Sequence, residues 1–421
     1  MKRFIYISII AVATILTSCQ QELQQLLDEN PYLEGSKKLN ITLVYPQGYE
    51  SENNGGAEIT ISNPSNGAIY KLQTNSQGKA TIDLQYGFYR LSASDKGTPV
   101  SGAIPIFNKS IDQVRLTDTL KGDLNLSVEL ILSYSGQLII KELYYSGCVG
   151  PDSKTFSYDK YAILYNNSDE VAYLDSVCFA TVDPYNAPTS QTPWSYVAAN
   201  GQTVIRDSIP IVEAVWQFPG NGKSHPLQPG EQAVVAINAA IDNTILRPNS
   251  VNLNIPGYWV TYNQRYTNAS YHPSPGPNLA NHWLDLLWKQ GTSTAFVLSN
   301  TSPAVVIFRI PVSGAQAFVN DPANRKRKPG SSSANEYVMI PSAWMLDGVE
   351  CFDRDTKFKR LPGSVDSGYA LLGDGDRNIG KTLHRKVDAL ASQKAGGRIV
   401  YMDTNNSNND FEIRASQSIK N

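Results

Sequence analysis

Charge is scarce in this sequence. Asp, Glu, Lys and Arg make up 18% of its 421 residues, against roughly 25% in an ordinary soluble domain. The 36 basic and 38 acidic side chains nearly cancel, leaving a net charge of −2. No broad basic field exists, which argues against nucleic acid as a partner and against electrostatic docking on an anionic bilayer. Histidine is also rare, with four residues: His225, His272, His282 and His384. No His-Glu-x-x-His and no paired-cysteine spacing occurs, so no metal site is predicted. There is no Gly-x-Ser-x-Gly elbow and no cysteine in an activating sequence, so neither a catalytic residue nor a cofactor is predicted. Beyond the amino-terminal leader, no apolar run is long enough to span a bilayer as a helix.

What is present begins with that leader. Lys2 and Arg3 precede an almost purely apolar stretch, Phe4 to Leu16, which ends in Leu16-Thr17-Ser18-Cys19. Its length suits a signal-peptide core better than a membrane span. Small residues ahead of a cysteine resemble the lipobox of bacterial lipoproteins. That resemblance implies cleavage after residue 18, lipidation of the Cys19 thiol and attachment to the outer membrane by acyl chains, which hold far better in pairs than singly. Three cysteines then remain: Cys148, Cys178 and Cys351. An odd number cannot all pair within one chain. Buried free thiols are expected at Cys178 and Cys351, and a Cys148–Cys178 bridge stays open.

Residues 19–37 read as a tether. The next block, 38–132, carries short alternating runs divided by turn signals. They are Leu39 to Tyr45, Ala57 to Ile61, Ala68 to Gln73, Lys79 to Leu84 and Tyr86 to Leu91, with Asn63-Pro64-Ser65-Asn66-Gly67 as a turn. Thr74, Gly78, Gly87 and Tyr89 fill the places of a Thr-x-x-x-Gly turn followed by Gly-x-Tyr. The block therefore resembles the carboxypeptidase-regulatory or transthyretin-like sandwich, an accessory module in that family.

Residues 133–421 differ. Strong strand patterns occur at Gln137 to Tyr145, Lys160 to Asn166, Ala233 to Ile237, Thr292 to Leu298 and Ala304 to Arg309. With Ile163-Leu164-Tyr165-Asn166, Phe218-Pro219, Leu227-Gln228-Pro229-Gly230-Glu231 and Gly380 to Arg385, the order resembles the lamin-tail domain, an immunoglobulin-like sandwich. The glutamate of that family's second strand is apolar here. From Ser135 onward the arrangement also resembles an uncharacterised lipoprotein family of Gram-negative gut anaerobes, whose members accompany TonB-dependent outer-membrane receptors. The expected fold is all-β: a small transthyretin-like sandwich followed by a larger lamin-tail-like one with long loops.

Aromatic residues in loops supply the binding candidates. Tyr185, Trp194 and Tyr196 lie in one loop region; Tyr258, Trp259 and Tyr262 lie in another. Flat rings on loops stack against sugars, peptides or planar groups at little entropic cost. Trp194, between Pro193 and Ser195, is expected to be the exposed tryptophan, whereas Trp216, Trp259 and Trp344 read as core. His272 and His282, the oxygen-rich Asp374 to Asn378 and Asp403 to Asp410, and the basic run Arg325 to Lys328 all read as local or solvated structure. The expected function is that of a cell-surface lipoprotein that binds an unidentified ligand or serves a TonB-dependent uptake receptor. An extracellular hydrolase with a dispersed active site, and an adhesion or spacer protein, stand as alternatives.

Overall fold

The computed structural model describes residues 35–98, 105–198, 203–310 and 314–420. Cys19, the leader and nearly all of the tether lie outside them. The fold is all-β, with three short α-helices among the described residues. Among the described residues, no helix is long and apolar enough to cross a membrane.

The chain divides into two compact units and passes between them within the strands Gly87–Lys96 and Pro105–Leu116 and again after Glu129. In the smaller unit, Ser36–Val44 lies between Lys79–Gln85, antiparallel, and Leu124–Glu129, parallel. Its inward residues Leu39, Ile41 and Leu43 alternate with polar ones, as a strand buried on one face requires. Glu58–Ser62 pairs with Ile69–Gln73 around the Asn63–Gly67 turn. Gly67 sits at φ +73, and Asn63 Oδ1 accepts from the Ser65 N–H at 2.9 Å, the local bond that makes Asn a turn residue.

The larger unit contains two sheets face to face. The first runs in the order Trp259–Val260, Gln232–Ala236, Tyr161–Asn166, Leu138–Tyr144, Thr382–Arg385, Phe411–Arg414. The second has eight strands, with Ser208–Gln217, Val177–Val182, Ala304–Arg309 and Met345–Phe352 at its centre. Leu138, Ile140, Leu164 and Val235 from one sheet meet Phe179, Trp216, Val305, Ile307 and Val349 from the other in a single buried cluster. Both sheets are covered on their outer faces too. Tyr161 and Ile163 join a cluster with Val251, Leu253 and Leu279, and Ile211, Val306 and Phe308 join one with Leu287, Trp288 and Val319. That double burial is why Tyr161–Asn166 and Val177–Val182 are buried at every position and read as continuous apolar runs.

The expected strand at Thr292 to Leu298 does not form. Its carbonyls are taken elsewhere: Asn268 N–H donates to Thr294 O at 3.0 Å, Asn238 Nδ2 to Phe296 O at 2.8 Å, and the Lys160 ammonium to Leu298 O. Two side chains and one distant backbone N–H satisfy this backbone where a ladder would otherwise do so. Cys148, Cys178 and Cys351 are all buried free thiols, so no Cys148–Cys178 bridge forms. Burial holds the Cys148 and Cys178 thiols at about 12, far from nucleophilic use.

Candidate functional site

The aromatic candidates fall into separate places. Trp194 is 3% exposed, its Nε1 donates to Asp183 Oδ2 at 2.8 Å, and its ring meets Tyr337 edge-on at 5.3 Å. The expectation that it is the exposed tryptophan is therefore corrected. A buried indole N–H needs an acceptor, and Asp183, which Lys328 also pairs at 2.8 Å, provides one. Tyr196 is the exposed ring of this group, with the Arg206 guanidinium 5.1 Å above it. Tyr185 is half-buried, and its carbonyl accepts from Arg360 Nη1 at 3.4 Å.

Tyr258, Trp259 and Tyr262 belong to a different cluster. Trp259 is buried against Phe218, His225 and His282, with ring centroids 5.1, 4.8 and 4.8 Å away. Tyr262 stacks on His272 at 5.0 Å and meets Trp283 edge-on at 4.8 Å. Burial pushes His272 down to about 4, so it is neutral at physiological pH. Tyr258 is half-buried beside this group. Among the described residues, no group of three His, Cys, Asp or Glu side chains gathers as metal ligands. Asp374 is paired with Arg354 and Arg377, and Asp376 with Lys381, so the oxygen-rich Asp374–Asn378 turn spends its charge on neighbours.

A concave site lies elsewhere in the larger unit. A cleft of about 410 Å³ is bounded by Leu132, Ser133 and Tyr134, by Ser342 to Asp347 except Trp344, by Ser364 and Val365, and by Asn405. Pro341 ends its strand, and a single 3-10 turn, Ser342–Trp344, then starts the next strand, opening one wall. Asn405 closes another from a left-handed backbone at φ +50, a conformation asparagine tolerates better than most residues. Its Nδ2 donates to Ser133 Oγ at 2.9 Å, which fixes the amide against the Ile131–Tyr134 strand. Tyr134 stands at the rim, 47% exposed.

Behind the cleft, Asp347 accepts from Arg385 Nη2 through both oxygens, at 2.8 and 2.7 Å, and from the Ile140 N–H at 2.6 Å. Arg385 Nη1 also reaches Asp410 Oδ2 at 3.1 Å and Asp403 Oδ1 at 3.4 Å. All four side chains are essentially buried. Burial alone would lower the Arg385 pKa, but the three carboxylates hold it above its ordinary value. One guanidinium cannot neutralise three acids. Burial, with Asp347 and Asp410 close by, outweighs Arg385 and pushes Asp403 up to about 7. The floor of the cleft is thus rigid, charged and proton-sensitive.

That proton has a sign. The folded pKa of Asp403 lies above the unfolded 3.8, so the protonated carboxyl contributes stability that is full below about pH 4 and lost as pH rises through about 7. Asp403→Asn mimics the neutral acid. Between pH 4 and pH 8, the wild-type chain is expected to lose more stability than the variant in urea melts. Parallel curves would show that Asp403 does not titrate in this window.

Sequence reasoning missed the cleft and the Arg385 cluster. The signal was there in part. Asp347 and Glu350 interrupt the apolar run Met345 to Phe352, and Arg385 closes a buried strand. A charge inside a strand buried on both faces requires a partner, but the partner's position is long-range.

Residues 228–418 match the family model described as a protein of unknown function, DUF4876. A solved structure of a DUF4876 family protein from Bacteroides thetaiotaomicron is 25% identical, covers 89% of this chain and 94% of its own, and superposes with a TM-score of 0.56. Two looser likenesses are an adhesin candidate from Bacteroides ovatus and a DUF3823 family protein from Parabacteroides merdae. The first is 9% identical over 47% of this chain and 66% of its own, with a TM-score of 0.18. The second is 16% identical over 35% and 66%, with a TM-score of 0.16; neither informs the function of this chain. No curated protein matches it.

Proposed function

We propose that this chain is a lipid-anchored outer-membrane lipoprotein, exposed at the cell surface, that captures a small polyhydroxylated ligand and serves a TonB-dependent uptake receptor. The cleft in the larger unit carries the reading. Its volume of about 410 Å³ falls within the roughly 300–1,000 Å³ of small-ligand sites. Its lining pairs apolar walls, Leu132, Met345, Leu346 and Val365, with Ser342, Ser364 and Asn405. Tyr134 offers a ring face at the mouth. Apolar walls with a few fixed hydrogen-bonding groups and a flat ring suit a mono- or disaccharide. Asp347, held by Arg385 and the Ile140 N–H, fixes the wall behind these groups. The Cys19 lipid and the tether would hold this unit at the bilayer.

The test is ligand-observed saturation-transfer NMR on the full chain with a panel of neutral mono- and disaccharides. At least one sugar is expected to receive magnetisation, and Ser342→Trp, which fills the cleft, is expected to abolish the signal. Silence across the panel, or a signal that survives Ser342→Trp, would remove the cleft from the proposal. Receptor service predicts co-purification with an integral barrel protein from detergent-solubilised outer membrane.

A further inference from the structure

One buried group in the larger unit is used by neither the cleft nor the aromatic clusters. Lys160 is fully buried just ahead of the strand Tyr161–Asn166, in the first sheet. Its Nζ donates to two acceptors, Leu298 O and the side-chain Oδ1 of Asn300. Asn300 lies 140 positions away in sequence, in the segment that enters Ala304–Arg309 of the second sheet. The amine beside one sheet is thus hydrogen-bonded to the Asn300 carboxamide oxygen, in the segment that leads into the other.

A third group completes the set. Glu213 occupies a β-bulge, where Ala180 and Thr181 pair with Val215 and Val212 and leave two extra residues between. Its backbone is left-handed at φ +66. Bulges re-aim side chains and carry strain that ordinary packing does not need. Here the carboxyl is aimed inward, where Oε2 accepts from the Val297 N–H at 3.4 Å, three residues before Asn300. Trp216, on the same strand, and Phe296 and Leu298, which flank Val297, are fully buried. Lys160 and Glu213 make no mutual ion pair among the described contacts, yet they act on one another electrostatically.

We propose that Lys160 and Asn300 join in an intramolecular isopeptide bond that staples the two sheets of the larger sandwich. The neutral Lys160 Nζ attacks Asn300 Cγ with its lone pair. The Nζ–Cγ bond forms, the Cγ–Nδ2 bond breaks, and Nδ2 leaves as ammonia. The proton that Nζ loses is the one the leaving nitrogen gains, so amine plus carboxamide gives secondary amide plus ammonia, with no oxidant or reductant. We assign the passage of that proton to Glu213, a half-buried carboxylic acid that acts electrostatically on Lys160, donating to the carboxamide and taking the proton from Nζ. Asn300 is exposed on its outer side, where Nδ2 donates to Ser157 Oγ at 3.1 Å, so ammonia has a way out.

The protonation states fit. Burial drops Lys160 to about 7, against the pull of Asp159 and Glu213, so much of it is an uncharged nucleophile at neutral pH. Burial raises Glu213 to about 8, so it is largely a neutral acid able to donate. An ordinary buried lysine would instead pair with a carboxylate. This one donates to two neutral oxygens and makes no ion pair among the described contacts.

Tryptic peptide mapping of the intact protein decides the matter. With Lys160 acylated, trypsin cannot cut there, and residues 155–206 are expected joined to residues 290–309, lighter than the two together by one ammonia. A free peptide ending at Lys160 alongside an unmodified 290–309 would overturn the proposal and leave Lys160 as a hydrogen-bond donor only. Lys160→Met is expected to give linear chains. Glu213→Gln is expected to slow bond formation strongly in a time course, with Glu213→Asp restoring part of the rate. Full cross-linking in Glu213→Gln would remove Glu213 from the reaction. Because the first measurement uses the wild-type chain, a variant that misfolds cannot obscure the result.

Discussion

Arg385→Met is expected to destabilise the chain by about 3–5 kcal/mol, the usual cost of removing one partner from a buried charge cluster. Methionine preserves most of the side-chain volume, so the loss is electrostatic rather than a cavity. Asp347, Asp403 and Asp410 would be left buried around no cation. The carbonyls of Ile140 and Met402, which accept from Arg385 at 3.0 and 2.8 Å, would also lose their donor. The effect should shrink in acid, because protonated carboxyls no longer need the guanidinium. Urea denaturation at pH 7.5 and at pH 4.5 checks both parts. A loss under about 1 kcal/mol at the higher pH, or no pH dependence of the difference, would contradict the account.

Trp216→Ala is expected to cost about 3–5 kcal/mol. Trp216 is fully buried between the sheets, 5.5 Å from Phe296 and 5.8 Å from Tyr266, and is one of two tryptophans in the main cluster. The neighbours come from different sheets and loops and cannot collapse together, so truncation leaves a void. The indole Nε1 has no partner among the described residues. Trp216→Phe therefore forfeits no hydrogen bond and should cost clearly less than alanine. Chemical denaturation of the three proteins gives the order. An alanine variant as stable as the phenylalanine one would mean that the sheets relax into the gap.

How much of this was legible in the sequence depended on whether burial leaves a period. In the smaller unit, Leu39-Asn40-Ile41-Thr42-Leu43 alternates and the strand is observed at Ser36–Val44. Lys79–Gln85 and Ile69–Gln73 were equally plain, since turns rich in Asn and Gly bracket them. Ala304–Arg309 announces itself as a short continuous apolar run. Thr292 to Leu298 is also rich in strand-forming residues and is no strand, because Lys160, Asn238 and Asn268 compete for its backbone from far along the chain. Ser208–Gln217 was illegible for the opposite reason: Pro210 and the bulged Glu213 interrupt its pattern. The site follows the same logic. Ring-rich loops can be seen in a sequence, but whether a ring is exposed, as Tyr196 is, or capped by an aspartate, as Trp194 is, depends on partners elsewhere.

The first sheet of the larger unit places Leu138–Tyr144 between Tyr161–Asn166 and Thr382–Arg385. Thr382 Oγ1 donates to Leu143 O across 239 positions of sequence. Such a central strand stays open on one edge until a segment synthesised far later comes to fill it, and pairing over that span is slow to nucleate. Were the chain exported as proposed, threaded amino end first through a translocation channel, the delay would keep its larger unit loose enough to pass and let it lock on arrival.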